Sequence, residues 1–156
     1  MKIAVLDNLR SVYNVGSIFR TANAAGIEKI YLTGTTPTPI DKKGIPRKDF
    51  AKVALGAEET VVWEYYEDTL SLLKKFRNDN VYIIAFEQDE NSRDYKTLDI
   101  ESKENVAFVI GPEVTGMSED VLKECDIVAE IPMLGTKESL NVTIAFGIGV
   151  YRILGI

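Results

Sequence analysis

Short apolar runs separated by helical stretches are the feature that most restricts the fold of this chain. Residues 81–86 (VYIIAF) and 106–110 (VAFVI) are apolar at every position. Apolar residues at every position, rather than at every second one, indicate strands that are covered on both faces, as in a parallel sheet. Because helical stretches separate successive runs, we predict an α/β fold, with a mainly parallel sheet of about six strands and helices on both faces.

The expected elements follow from these runs and from their cap and turn residues. We predict strands at 2–7, 30–33, 60–63, 81–86, 106–110 and 127–131, and helices at 14–25, 50–59, 68–77, 118–125 and from 142 onward. The polar segment 87–105 is predicted to be irregular.

The C-terminal helix is apolar nearly all round, since only Thr143 and Arg152 are clearly polar after residue 141. A sheet covers one face of such a helix, and the other face needs a further helix or a second copy of the chain. We predict a homodimer through the helix 141–155. The alternative is a core helix inside a single domain.

The loop 131–141 in front of the helix is a candidate ligand site, because N–H groups at a helix start attract anions.

Composition excludes several classes of chemistry. The chain has no histidine and a single cysteine, Cys125, which rules out Ser-His-Asp and Cys-His catalysis and an internal disulfide. No metal site is predicted. No glycine-rich phosphate loop follows any predicted strand, which disfavours an ordinary dinucleotide or nucleoside triphosphate site.

Length and charge set the remaining limits. The 156 residues are predicted to form one domain, cytoplasmic and without membrane association, because neither a secretory leader nor a run of eighteen apolar residues is recognisable. The net charge of −6 opposes non-specific attraction to nucleic acid. Any contact with nucleic acid must therefore come from local basic patches.

Three stretches resemble the motifs of one family. Residues 14–26 (NVGSIFRTANAAG) resemble the first motif of the SpoU/TrmH family of SPOUT-class RNA 2′-O-ribose methyltransferases. Residues 110–118 (IGPEVTGMS) resemble its second motif, and 131–133 (IPM) with 139–143 (SLNVT) resemble its third. The resemblance implies a deep trefoil knot near the C-terminus, S-adenosylmethionine bound in a bent form among the loops of the knot, and a dimer. It also implies that residues 1–156 are a single catalytic domain with no appended RNA-binding domain.

The resemblance assigns catalysis to five residues: Arg20, Asn14, Glu113, Ser139 and Asn141. It makes Arg20 the general base, but arginine keeps its proton at neutral pH. In an alternative, Arg20 clamps an RNA phosphate and stabilises the developing alkoxide while the proton leaves through water. Physical chemistry alone leaves further alternatives, in which Asn14, Ser139 and Asn141 are helix caps and Glu113 is a solvated loop carboxylate.

The cofactor and the RNA have separate candidate residues. By resemblance, S-adenosylmethionine is bound by Ala85, Gly111, Ile131, Met133, Ser139 and Leu140, although the loop after Ala85 carries no motif. The candidates for RNA contact are Arg10, Lys42, Lys43, Arg47 and Lys48, and the alternative for the last four is a solvated loop. Because the chain is acidic, we expect RNA binding to weaken steeply with salt and to require structured RNA or an auxiliary protein.

These expectations combine into one function: methyl transfer from S-adenosylmethionine to a ribose 2′-hydroxyl of structured RNA. Transfer RNA is the first candidate substrate by analogy with compact members of the family, and ribosomal RNA is the second. The alternatives are a knotted methyltransferase that modifies a base nitrogen and a non-catalytic RNA-binding dimer.

Overall fold

A seven-stranded sheet forms the centre of the structure, a computed structural model that describes residues 1–156. The strands are β1 (Lys2–Asp7), β2 (Lys29–Thr33), β3 (Val62–Tyr66), β4 (Tyr82–Phe86), β5 (Arg93–Asp94), β6 (Val106–Ile110) and β7 (Ile127–Glu130). Their spatial order is β3-β2-β1-β6-β4-β7-β5, and every neighbouring pair is parallel. The predicted mainly parallel sheet is confirmed, but it has seven strands rather than the predicted number of about six.

The additional strand, β5, lies in the segment that was predicted to be irregular. Arg93 pairs with Ala129 and Asp94 with Glu130 at the edge of the sheet, and a single 3₁₀ turn, Tyr95–Thr97, follows. Two paired residues in a polar segment carry no hydrophobic periodicity, so tertiary pairing rather than local sequence determines this strand.

Six helices flank the sheet: α1 (Val12–Ala24), α2 (Lys48–Ala54), α3 (Ala57–Thr60), α4 (Thr69–Asn78), α5 (Glu119–Lys123) and α6 (Val142–Leu154). The single helix predicted at 50–59 is divided into α2 and α3, because Leu55 and Gly56 adopt left-handed backbone conformations, with φ of 52° and 88°. None of the six helices combines the length and apolarity that crossing a membrane requires.

The two faces of the sheet have separate hydrophobic clusters. On one face, side chains of α1, α2, α3 and α6 pack against the strands, and Phe19, Phe50 and Phe146 are fully buried there. On the other face, α4 and α5 pack through residues that include Leu72 and Leu73. Helices on both faces are therefore confirmed. Each large side chain buried in this way contributes about 1.5–3 kcal/mol, which explains why β4 and β6 are apolar at every position.

All loops that follow the strands leave the same edge of the sheet, because every strand is parallel to its neighbours. Ligands of open α/β sheets bind outside the carboxyl ends of the strands. The loops after β4, β6 and β7 are therefore the part of the fold that positions a site.

Candidate active site

A cavity of about 380 Å³ opens at the carboxyl edge, between the loops after β4, β6 and β7 and the start of α6. Eight of its fifteen lining residues are hydrophobic, so the cavity is an apolar slot with a few polar groups, which is typical of small-molecule sites. The lining residues are Phe86, Glu87, Gln88, Ile110, Gly111, Pro112, Glu113, Ala129, Ile131, Met133, Ser139, Leu140, Asn141, Val142 and Ala145.

The structure places five of the six candidate cofactor residues in this lining: Gly111, Ile131, Met133, Ser139 and Leu140. Ala85 lies outside the cavity. Its side chain is fully buried in the cluster under α4 and α5, on the other face of the sheet. Successive residues of a strand point to opposite faces, and the next residue, Phe86, is the one that lines the cavity.

Two residues that the sequence analysis missed connect the loops around the cavity. The Oε2 atom of Glu87 accepts a hydrogen bond from the backbone N–H of Met117 at 3.1 Å. The amide Nε2 of Gln88 donates to the carbonyl of Glu138 at 2.8 Å. The loop after β4 is thus tied to the loops after β6 and β7. The only signal in the sequence is the position of these two polar residues directly after a buried strand.

Asn14 and Glu113 meet at the mouth of the cavity. The Nδ2 atom of Asn14 donates to Oε1 of Glu113 at 2.7 Å. The interpretation of Asn14 as a helix cap is wrong, because α1 begins two residues earlier and Ser11 Oγ accepts the capping bond from the Asn14 N–H at 3.2 Å. The amide side chain of Asn14 is therefore free to hold a carboxylate that lines the cavity.

Asn141 caps α6 and also lines the cavity. Its Oδ1 atom accepts hydrogen bonds from the N–H of Thr143 at 2.8 Å and from the Thr143 hydroxyl at 2.6 Å. The cap interpretation is confirmed for Asn141 and does not conflict with a role at the ligand. Ser139 lies two residues earlier, is exposed, and has no hydrogen-bond partner within the chain.

Arg20 lies apart from the other candidate catalytic residues. Its side chain is exposed on α1, outside the cavity lining, and forms neither an ion pair nor a hydrogen bond within the chain. The adjacent Thr21 faces α6, since its Cγ2 atom lies 3.6 Å from the position that a Cβ atom would occupy at Gly147. One chain therefore brings together Asn14, Glu113, Ser139 and Asn141 but not Arg20.

The basic loop after β2 is exposed but ordered by its own hydrogen bonds. The carboxylate of Asp41 accepts from the N–H groups of Lys43 and Ile45 at 2.8 and 2.9 Å. The side chains of Lys42, Lys43 and Lys48 point into solvent and form no ion pairs. Three uncompensated positive charges thus remain at the carboxyl edge of the sheet.

The two arginines among the candidate RNA contacts differ from these lysines. Arg47 pairs with Asp49 through two contacts of 2.8 and 3.2 Å. This pairing raises the pKa of Arg47 and lowers the pKa of Asp49, so the charge of Arg47 is compensated. Arg10 lies at a separate cleft next to the cavity.

The single cysteine is unsuited to nucleophilic chemistry. The Cys125 thiol donates to the carbonyl of Val121 at 3.3 Å, and burial raises its pKa to about 12. The thiolate, which is the reactive form, is therefore scarce at neutral pH.

An open parallel sheet with an apolar cavity at its carboxyl edge defines a class of α/β proteins that bind a small molecule in loops following the strands. Within that class, the SpoU rRNA Methylase family model matches residues 1–151. The chain belongs to this family, which confirms the relationship indicated by the three motifs.

Curated relatives match almost the whole chain. A Staphylococcus aureus protein described as a TrmH family tRNA/rRNA methyltransferase is 31% identical over 153 residues, which are 98% of this chain and 58% of the relative. The 23S rRNA (guanosine-2′-O-)-methyltransferase RlmB of Ralstonia nicotianae is 32% identical over 150 residues, which are 96% and 57% of the two chains. The chain thus spans less than two thirds of the length of these relatives.

Solved structures share the fold. The TrmH/SpoU tRNA modifying enzyme of A. aeolicus superimposes with a TM-score of 0.83 at 27% identity, over 98% of this chain and 73% of that one. An AdoMet-bound rRNA methyltransferase from Sinorhizobium meliloti superimposes with a TM-score of 0.86 at 28% identity, over 97% and 55% of the two chains.

Proposed function

We propose that this chain transfers a methyl group from S-adenosylmethionine to a ribose 2′-hydroxyl of structured RNA in the cytoplasm, with transfer RNA as the first candidate substrate and ribosomal RNA as the second. One observation carries the proposal: candidate cofactor residues and candidate catalytic residues line the same cavity. Glu113, Ser139 and Asn141 line it directly, and Asn14 binds Glu113.

The residues of the cavity fit the methyl donor. Ile131, Met133 and Leu140 supply apolar surface for an adenine ring, and the backbone of Gly111, whose missing Cβ makes room for the Met117 side chain, lines the same cavity. The donor would supply a methyl group activated by its positively charged sulfonium. The similar rRNA methyltransferase from Sinorhizobium meliloti is described with AdoMet bound, which supports the same donor here.

The residues around Glu113 are suited to holding the acceptor hydroxyl. The bond from Asn14 fixes one oxygen of the Glu113 carboxylate, and the other oxygen has no partner within the chain. That oxygen can accept a hydrogen bond from a ribose hydroxyl and orient it toward the cavity. Arg20 would stabilise the developing negative charge or clamp the RNA phosphate while the proton leaves to water. Direct proton removal by Arg20 is the competing version.

A homodimer through α6 is part of the proposal. Ile144, Ile148 and Tyr151 recur at helical spacing on one face of α6 and are exposed in the single chain. Apolar surface of this kind gains about 25 cal/mol per Å² when it is buried. Arg20 neighbours the contact between Thr21 and α6, so a second copy seated on α6 would also change the surroundings of Arg20.

The sheet order supports the proposed trefoil knot. After β4, the chain passes the position of β7 and forms β5 at the edge of the sheet. It then returns and forms β6 on the other side of β4. The strand β7 lies inside this loop of chain, and the helix α6 that follows it contacts the returning segment, where Arg152 Nη2 donates to the carbonyl of Lys96 at 3.0 Å. A chain that passes through such a loop near its C-terminus would be knotted.

Transfer of label from methyl-labelled S-adenosylmethionine to RNA tests the proposal. Total RNA of the source organism is incubated with the protein, separated into transfer and ribosomal pools, and hydrolysed in alkali. We expect label in alkali-resistant dinucleotides, because a 2′-O-methyl group blocks cleavage at that linkage. Label in single methylated nucleotides would instead support base methylation. Cofactor binding without labelling of either pool, or no cofactor binding at all, would contradict the proposal.

A further inference from the structure

A second cleft of about 540 Å³ adjoins the cofactor cavity at the carboxyl edge of β1. It lies between the loops after β1, β2 and β6 and the first turn of α4. Pro112 and Glu113 line both the second cleft and the cofactor cavity. A molecule that reaches Glu113 from the second cleft therefore approaches the cofactor cavity.

The wall of the second cleft contains a buried carboxylate with one free oxygen. Asp7, the last residue of β1, is only 3% exposed. Its Oδ1 atom accepts from Asn8 Nδ2 at 2.8 Å and from the Thr69 hydroxyl at 2.5 Å. Its Oδ2 atom accepts no hydrogen bond within the chain and remains accessible to solvent, and Asp7 is one of the residues that line the second cleft. A carboxylate oxygen in such a position can accept a hydrogen bond from water or from a ligand in the second cleft.

The surrounding loops hold Asp7 in place. Asn8 adopts a left-handed backbone with φ of 50°, and its Oδ1 atom accepts from the N–H of Thr35 at 3.1 Å. Gly34 is required beside it, because a Cβ atom at that position would lie 2.1 Å from Asn8 Oδ1. The Thr69 hydroxyl also contacts the Thr33 hydroxyl at 2.5 Å. The free oxygen is therefore fixed before a ligand arrives.

The charge of the second cleft selects the chemistry of its ligand. Its lining includes the carboxylates of Asp7, Asp68, Glu113 and Asp120 but only one cation, Arg10. This excess of negative charge repels a phosphate and favours an N–H donor. No three acidic side chains converge closely enough to hold a metal ion. Guanine, adenine and cytosine present exocyclic amino donors, whereas the imino group of uracil lies between two carbonyl oxygens.

We propose that the second cleft binds the base of an unpaired RNA nucleotide, whose amino group donates to Asp7 Oδ2 while its ribose lies at Glu113. This inference rests on the proposed function. It predicts that the enzyme prefers a nucleotide with an amino-bearing base over uridine. Recognition of a base that is turned out of its stack is common in enzymes that modify nucleic acids.

Backbone amide NMR shifts test the proposal with free nucleosides as probes. Guanosine, adenosine, cytidine and uridine are titrated separately into the protein saturated with S-adenosylhomocysteine. We expect at least one amino-bearing nucleoside to shift the amides of Asn8, Thr35 and residues 113–116, with uridine bound more weakly. Asp7→Asn replaces the free acceptor with a donor and should weaken this binding about 10- to 100-fold. Equal binding of uridine, or unchanged binding by Asp7→Asn, would overturn the proposal.

Two further variants guard against misfolding. Asp79→Asn makes the same change at the opposite edge of the sheet and should bind nucleosides as the unmodified protein does. Thr115→Trp fills the exposed rim of the second cleft without touching the hydrogen bonds of Asp7, and should abolish the nucleoside shifts. Nucleoside shifts that persist in Thr115→Trp, or no shifts with any nucleoside in the unmodified protein, would also overturn the proposal.

The shifts caused by S-adenosylhomocysteine separate this proposal from the proposed function. Amides of Gly111, Ile131 and Leu140 report the cofactor cavity. If they respond and RNA is methylated while the nucleosides leave the second cleft unchanged, only the nucleobase proposal fails. If S-adenosylhomocysteine itself leaves these amides unchanged, the proposed function fails first.

Discussion

The two faces of α6 differ in burial within the single chain. Phe146, Val150 and Ile153 are buried against the sheet, whereas Ile144 and Ile148 are 52% and 39% exposed. Both faces carry apolar residues in the sequence. The comparison teaches that the sheet covers only one half of this helix, and that the other half is left for the second copy proposed above.

The inner face contacts a residue that lines the proposed cofactor cavity, and the outer face is close to Arg20. Gly149 on the inner face packs against the ring of Phe86, which lines the cavity. Gly147, toward the outer side, packs against Thr21, the neighbour of Arg20. Changes on the two faces should therefore affect different properties of the protein, and the following predictions separate them.

The largest effect is expected from Arg20→Ala. Removing a group that stabilises negative charge in a transition state lowers turnover about 100- to 1,000-fold. Methyl transfer to total RNA should fall by this factor, while the dimer mass and the affinity for S-adenosylhomocysteine stay unchanged. Arg77→Ala, which removes an exposed arginine on α4, is the control and should retain activity. Full activity of Arg20→Ala would reject the catalytic role of this residue.

Ile148→Asp should dissociate the dimer. The change places two carboxylates, one from each copy, into an apolar contact, and we expect the dimer dissociation constant to rise about 100-fold or more. Sedimentation equilibrium measures this constant directly. Leu55→Asp adds the same charge at an exposed apolar residue away from α6 and should leave the mass unchanged. A dimer of undiminished affinity in Ile148→Asp would show that the outer face is not the interface.

The inner face is tested by the pair Gly149→Ala and Gly147→Ala. A Cβ atom at residue 149 would lie 2.3 Å from the ring of Phe86, so Gly149→Ala should lower the free energy of unfolding by about 1–3 kcal/mol. A Cβ atom at residue 147 would lie 3.6 Å from its nearest neighbour, which is an ordinary contact. The better helix propensity of alanine should therefore raise the free energy of unfolding of Gly147→Ala by about 0.5–1 kcal/mol. Denaturant unfolding at one protein concentration measures both. Equal effects of the two changes would contradict the packing described for α6.

The smallest effect is expected at the basic loop. Replacing Lys42 and Lys43 together with alanine should reduce the slope of log K against log salt by about 1–2 for binding of total transfer RNA, because each lysine contributes about one phosphate contact. Arg47→Ala should change the slope less, since Asp49 already compensates this charge. An unchanged slope in the double variant, or a larger change in Arg47→Ala, would favour a loop that is merely solvated.

Local sequence patterns predicted those parts of the fold in which burial determines the residue types. The strands β4 and β6 follow from their continuous apolarity, and the parallel sheet with two covered faces follows from both. The strand β5 could not be predicted, because its two polar residues pair only in the presence of β7. The division of the helix at Leu55 and Gly56 depends on left-handed backbone conformations, which leucine rarely adopts.

The residues of the candidate site could be predicted where they belong to a sequence motif. They could not be predicted where only tertiary contacts bring them to the site. The motif residues Gly111, Glu113 and Ser139 line one cavity, and the roles that the resemblance implies for them stay predictions. Glu87 and Gln88 act through hydrogen bonds to distant loops, which no local pattern reveals. The helix-cap alternative for Asn14 was wrong because Ser11, an equally good cap residue, lies three residues earlier and caps α1.

A crystal structure of the protein with S-adenosylhomocysteine would test the account most directly. We expect the ligand in the cavity formed by the loops after β4, β6 and β7, with its sulfur toward Glu113, and the outer face of α6 buried against a second copy. A ligand bound elsewhere, or an outer face of α6 that stays exposed to solvent, would contradict the account.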